Sequence, residues 1–146
     1  KIENLSSEDR WKFWDEQLAK CVRCYACRSV CPMCYCDECV ADTITFAVTP
    51  DTTAEDKAQK IKWLDKSPVI SENIFYHMVR AIHLAGRCID CGECERACPV
   101  NIPLRMLNKK LEKEAKLLFG YDVGFDPEKP ALISCFRDED PEDFIR

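Results

Sequence analysis

Two stretches of this 146-residue sequence carry one cysteine rhythm. Cys21, Cys24, Cys27 and Cys31 lead into Pro32, and Cys88, Cys91, Cys94 and Cys98 lead into Pro99 with the same spacing. Thiols packed this closely dictate the local chain path before any hydrophobic pattern can. A cubane cluster offers four iron corners, each suited to one soft thiolate. Three ligands separated by two residues can wrap three corners while the fourth comes from elsewhere. The rhythm therefore points to two 4Fe-4S clusters. Paired zinc knuckles are the competing reading, because Cys-x-x-Cys pairs also hold tetrahedral zinc. Zinc asks for two pairs, however, and each run here supplies four cysteines ending in proline.

Twelve cysteines in so short a chain could instead be a disulfide framework. The close packing of the cysteines, the charge-rich composition and the lack of a visible secretory signal favour metal in a reducing cytoplasm. No apolar run approaches the roughly 18 to 20 residues of a membrane span. The formal net charge is −5, and two oxidised clusters would take it to about −9, which disfavours nucleic acid as a partner. Lys109, Lys110, Lys113 and Lys116 are interleaved by Glu112 and Glu114, as on a solvated helix face. The four glycines, at 86, 92, 120 and 124, leave no loop for a dinucleotide or a nucleoside triphosphate. No site for substrate chemistry is visible, so no catalytic residue is assigned.

Four cysteines lie outside the two runs: Cys34, Cys36, Cys39 and Cys135. The first three follow Pro32 at once and suggest a third metal site, either another 4Fe-4S cluster or a zinc ion, with Cys135, His77 or His83 as fourth ligand. Reduced structural thiols are the alternative, and Cys135 in its apolar surroundings reads equally as a small buried residue. His77 and His83 are six residues apart on one expected helix and do not share a face well. Cys27, Cys31 and Cys34 also match the spacing of radical S-adenosylmethionine enzymes, but the denser motif explains them better and the chain is too short for the barrel of such enzymes.

Around the cysteines the pattern is helical. Residues 1–20 read as a helix capped by Ser6 or Ser7, with Trp11, Trp14 and Leu18 on one face packing over a cluster. Residues 41–85 read as an insertion with helices. Within it a short helix is expected over 54–64, and a capped helix begins at Ser71, with Ile74, Phe75, Met78, Val79 and Ile82 as its apolar stripe and Gly86 as its stop. Residues 21–40 and 86–102 form the cluster core. Residues 103–120 form a last helix with Leu104, Leu107, Leu111, Ala115 and Leu118 on one face, and 121–146 an irregular docking tail.

The two runs resemble those of two-cluster bacterial ferredoxins. That resemblance implies a small α+β, ferredoxin-like core with added helices before, between and after the motifs. It also implies that the fourth cysteine of each run serves the other cluster. One cluster then takes Cys21, Cys24, Cys27 and Cys98, and the other Cys88, Cys91, Cys94 and Cys31. The extended run Cys-Val-Arg-Cys-Tyr-Ala-Cys with Cys-Pro-Met-Cys-Tyr-Cys-Asp-Glu-Cys, the approach His83-Leu84-Ala85-Gly86-Arg87-Cys88, and Phe119-Gly120-Tyr121 are similar to dicluster iron-sulfur subunits of anaerobic oxidoreductases. These include formate dehydrogenases, hydrogenases, heterodisulfide-reductase-type modules and the tungsten benzoyl-CoA reductase. The resemblance implies an electron-transfer subunit beside catalytic or flavin-containing partners. A freely diffusing low-potential ferredoxin and a zinc-stabilised interaction module are the alternatives.

Overall fold

A computed structural model describes residues 2–37, 39, 41, 51, 53–55, 64 and 67–134. Helix α1 spans Ser7–Leu18, and the Ser6 hydroxyl accepts from the Asp9 amide at 3.1 Å, with Glu8 and Asp9 at the positive end of the helix dipole. Only Leu18 of this helix is buried. Trp11 is 63% exposed, and Trp14 lines a surface groove with Ile2 and Met106. The expected tryptophan cover over a cluster is therefore not formed: α1 reaches the core through its last turn, just where it delivers the chain to Cys21.

Two one-turn helices, α2 (Ala26–Ser29) and α4 (Glu93–Arg96), each carry the third cysteine of a run. Between them, α3 spans Ile70–Leu84 and starts from Val69 without a side-chain cap, not from a Ser71 cap. Its buried face is Asn73, Tyr76, His77, Arg80, Ala81 and Leu84, whereas Phe75, Met78 and Ile82 are exposed. Of the apolar stripe read from the sequence, Phe75, Met78 and Ile82 point outward, while Ile74 and Val79 pack against the core. The inward face is polar and aromatic because it looks onto sulfur and carbonyl groups, which need donors and not hydrocarbon.

Helix α5 spans Leu104–Phe119, buries Leu104, Leu107, Asn108 and Ala115, and ends at Gly120, whose φ of 59° is the left-handed cap that favours glycine. Leu118, expected on the same face, is exposed. Helix α3 packs against both α1 and α5, α2 packs on α4, and α4 packs on α5. The core between them joins Leu18, Tyr76, Ile102 and Leu104 to Cys27 and Cys94, so thiols occupy the positions that aliphatic side chains fill elsewhere.

Among the described residues there is no β-strand, so the α+β core expected from the sequence is met only as a small, helical frame. Helices enter both runs and leave the second one, which takes up the flanking segments where strands would otherwise pair. The expected helix over 54–64 lies largely outside the described residues. So do Cys135 and the tail beyond it.

Candidate metal centre

The two runs trace one backbone path. The second residue after the first cysteine and the first residue after the second cysteine both have positive φ: Arg23 at 55° and Tyr25 at 59°, Asp90 at 57° and Gly92 at 76°. Left-handed φ costs a non-glycine residue roughly 1 to 2 kcal/mol. Three of these four positions accept that strain, because it curls successive amides toward one point, the concave arrangement that binds anions. The hydrogen bonds repeat as well. Val30 N–H donates to Ala26 O at 3.1 Å and Ala97 N–H to Glu93 O at 2.9 Å, and the fourth cysteines donate to Arg28 O and Glu95 O, both at 3.2 Å. Amides also reach sulfur, from Arg23 to Cys21 Sγ and from Ile102 to Cys98 Sγ, both at 3.4 Å.

The cysteines gather into three pockets. Cys21, Cys24 and Cys27 share the first with Cys98, walled by Tyr76, His77, Val100 and Ile102. Cys88, Cys91 and Cys94 share the second with Cys31, walled by Met33, Leu84, Ile89 and Asn108. In each the fourth cysteine comes from the other run. Cys34, Cys36 and Cys39 line the third together with His83. His77 belongs to the first pocket, so α3 sends its two histidines to different sites. Among the described residues no group of three or more His, Cys, Asp or Glu stands where it could hold a metal ion. A cubane is broader than an ion, and each of its corners takes a single thiolate.

Burial pushes the thiols of Cys21, Cys31 and Cys88 upward and that of Cys94 up to about 11. These thiols are protonated near neutrality without metal, so ligation releases protons. Facing them are three arginines, of which Arg80 and Arg23 are buried. Arg80, 6% exposed, donates to Cys27 Sγ and Cys27 O, each at 3.1 Å, and to Cys34 Sγ at 3.6 Å. Burial alone would lower its pKa, yet Cys27 and Tyr76 outweigh that and hold it raised. Arg23 donates to Glu72 O at 2.7 Å and lies over the Tyr76 ring, 4.5 Å from its centroid. Arg87 donates to Cys36 Sγ at 3.5 Å. The Tyr76 hydroxyl lies 3.7 Å from Cys27 Sγ. Asn73 donates to Leu18 O at 3.3 Å and Cys21 O at 2.9 Å, clamping α3 to the start of the first run.

His77 is 2% exposed, and neither ring nitrogen has a hydrogen-bond partner among the described residues. Burial first, then the charges of Arg80 and Arg23, lower its pKa to about 3, so it sits as a neutral ring. Burial and then Arg87 also lower the pKa of His83. Asn73, Tyr76 and Arg80 went unread as site residues in the sequence, and His77, read there as a candidate fourth ligand of the third site, stands in the first pocket. Their signal was present: they recur at spacings of three and four along α3, with Arg87 just beyond, as a polar stripe opposite the apolar one.

These surroundings suit an anionic cofactor. Cysteine supplies every proposed ligand of the first two pockets, and the cations and amides converge on sulfur with apolar walls between. No helix among the described residues is long and apolar enough to cross a membrane. Comparison with known proteins agrees with the geometry. A family model described as the 4Fe-4S dicluster domain matches residues 16–102, more than half of the chain. The chain is 30% identical over 136 residues to the F420-dependent formate dehydrogenase subunit beta of Methanocaldococcus jannaschii, covering 92% of this chain and 30% of that protein. It is 34% identical over 124 residues to the F420-dependent formate dehydrogenase 1 subunit beta of Methanococcus maripaludis, covering 84% of this chain and 27% of that protein. The chain thus spans less than a third of the length of these curated relatives. On the match across both cysteine runs, the chain belongs to the 4Fe-4S dicluster domain family and carries two 4Fe-4S clusters.

Proposed function

We propose that this chain is the electron-transfer part of an anaerobic oxidoreductase complex in the cytoplasm, with no catalytic site of its own. It would relay single electrons between a catalytic or flavin-containing subunit and another carrier. The observation that carries this reading is the crossed pocket arrangement, in which each run contributes three cysteines to one site and its fourth to the other. Cys21, Cys24, Cys27 and Cys98 would hold one cluster, and Cys88, Cys91, Cys94 and Cys31 the other. Cysteine at every corner leaves no open position for a substrate, and a cluster so bound supplies one-electron storage.

The chain's own residues set the terms of that storage. Cys27 and Cys94 are both buried in one core cluster, so the two sites adjoin inside it. Ile102 and Leu104 keep water from the first pocket, and Arg80 places positive charge on its ligand sulfur. The relatives are named as formate dehydrogenase beta subunits, which supports a place in an oxidoreductase complex with formate as a candidate substrate class.

Single replacements read by electron paramagnetic resonance of the anaerobically purified complex test the crossing. Cys98→Ser should alter the same signal as Cys21→Ser, and Cys31→Ser the same signal as Cys88→Ser. If Cys98→Ser instead groups with Cys88→Ser, each run holds its own cluster and the arrangement is wrong. Sedimentation tests the complex: a stable free chain that exchanges electrons only by collision would leave a diffusing carrier and refute the docked subunit.

A further inference from the structure

Cys34, Cys36 and Cys39 remain after the two four-cysteine sites, and their surroundings match those sites. The pocket they share with His83 spans about 410 Å³, open in part to solvent, against about 360 and 300 Å³ at the second and first pockets, which are open likewise. Among the described residues no three His, Cys, Asp or Glu side chains stand where they could share one ion, whereas a single zinc ion would draw its sulfurs to about 2.3 Å from one point; the wider spacing suits a cubane. The charge agrees. Arg80 and Arg87 donate to Cys34 Sγ and Cys36 Sγ at 3.6 and 3.5 Å, and none of the described residues lining the pocket is an Asp or Glu. Arginines directed at thiols favour the thiolate form and an anionic cofactor held by it.

From this we infer that Cys34, Cys36 and Cys39, with the His83 imidazole as fourth ligand, hold a third 4Fe-4S cluster. His83 is the one histidine that lines this pocket, half-buried in the last turn of α3, while His77 is committed to the first pocket. The site adjoins both others. Arg80 touches Cys27 of the first and Cys34 of the third, and Met33 and Leu84 wall the second and third alike. The third centre would thereby extend the wire from the crossed pair toward the exposed Cys36 side of the molecule.

The test is iron, zinc and acid-labile sulfide analysis of the complex, purified anaerobically, with this chain intact. About twelve iron and twelve sulfide atoms per chain are expected for three cubanes. Cys36→Ser, at an exposed position, should lower both to about eight while the signals of the two crossed clusters persist. His83→Cys should keep the iron but shift the resonance and lower the midpoint potential of the third centre alone, because a thiolate adds negative charge where imidazole has none. About eight iron atoms in the unaltered chain, with or without one zinc, would overturn the third cluster and leave the two-cluster reading standing. Iron near zero would sink both. An unshifted third signal in His83→Cys would remove His83 as the ligand.

Discussion

Replacing Arg80 should move a reduction potential by an amount that its geometry sets. The guanidinium is buried and donates to Cys27 Sγ at 3.1 Å, so its charge bears directly on the cluster assigned to Cys21, Cys24, Cys27 and Cys98. Reduction adds one electron, and a neighbouring positive charge stabilises the reduced form. Arg80→Met should therefore lower the potential. With the charge about 5 to 7 Å from the cluster centre and an effective dielectric near 20, the lost interaction is roughly 2 to 3 kcal/mol. For a one-electron couple that corresponds to about 90 to 130 mV. The assay is a potentiometric titration followed by paramagnetic resonance, comparing Arg80→Met with Arg80→Lys and Arg80→Gln. Lysine keeps the charge and should restore most of the potential, whereas glutamine keeps only donor capacity and should recover less. The cluster assigned to Cys88, Cys91, Cys94 and Cys31 should shift less, because the hydrogen bonds of Arg80 go to Cys27 and Cys34 and to none of its sulfurs. An unchanged or raised potential at the first cluster, or an equal fall at both, would refute the assignment of Arg80 as its electrostatic neighbour.

Asn73→Ala should destabilise the chain by about 1 to 3 kcal/mol, because the Cys21 carbonyl loses its side-chain donor and the Leu18 carbonyl keeps only the Cys21 amide; denaturant titration of the holo-chain checks it. Gly92→Ala should cost about 1 kcal/mol through its φ of 76°, with nearby atoms no closer than 3.8 Å, and leave cluster content unchanged, since Tyr25 already adopts the equivalent conformation in the first run. His77 should show no proton titration between about pH 5 and 8 by NMR of its ring in a diamagnetic state. Its pKa, lowered from 6.5 to about 3, places the stability it contributes fully above pH 6.5 and removes it as the pH falls through about 3. A ring titrating near 6.5 in the folded chain would contradict its burial.

The cysteine runs were legible as cluster motifs because a cubane imposes its ligand spacing on the sequence, and that spacing survives whatever fold surrounds it. The helix with Leu104, Leu107 and Ala115 inside and Gly120 at its end was legible for the same kind of reason: local periodicity and a local cap determine it. Helix α3 was legible as a helix but not in its orientation. Phe75, Met78 and Ile82 form a stripe that periodicity alone assigns to the core, and the tertiary structure turns the opposite stripe inward. It does so because Asn73, Tyr76 and Arg80 meet carbonyls and sulfurs contributed by segments roughly fifty residues away. The strands implied by the α+β reading are not met among the described residues, since pairing depends on neighbours that local pattern cannot name. Sequence by itself determined that this chain binds iron and sulfur, and which cysteines keep time with one another. Only the tertiary structure decided which sulfurs share a pocket, which histidine stands beside Cys34, Cys36 and Cys39, and where the buried arginines place their charge. Those are distances through space between groups far apart in the chain, and no periodicity along it encodes them.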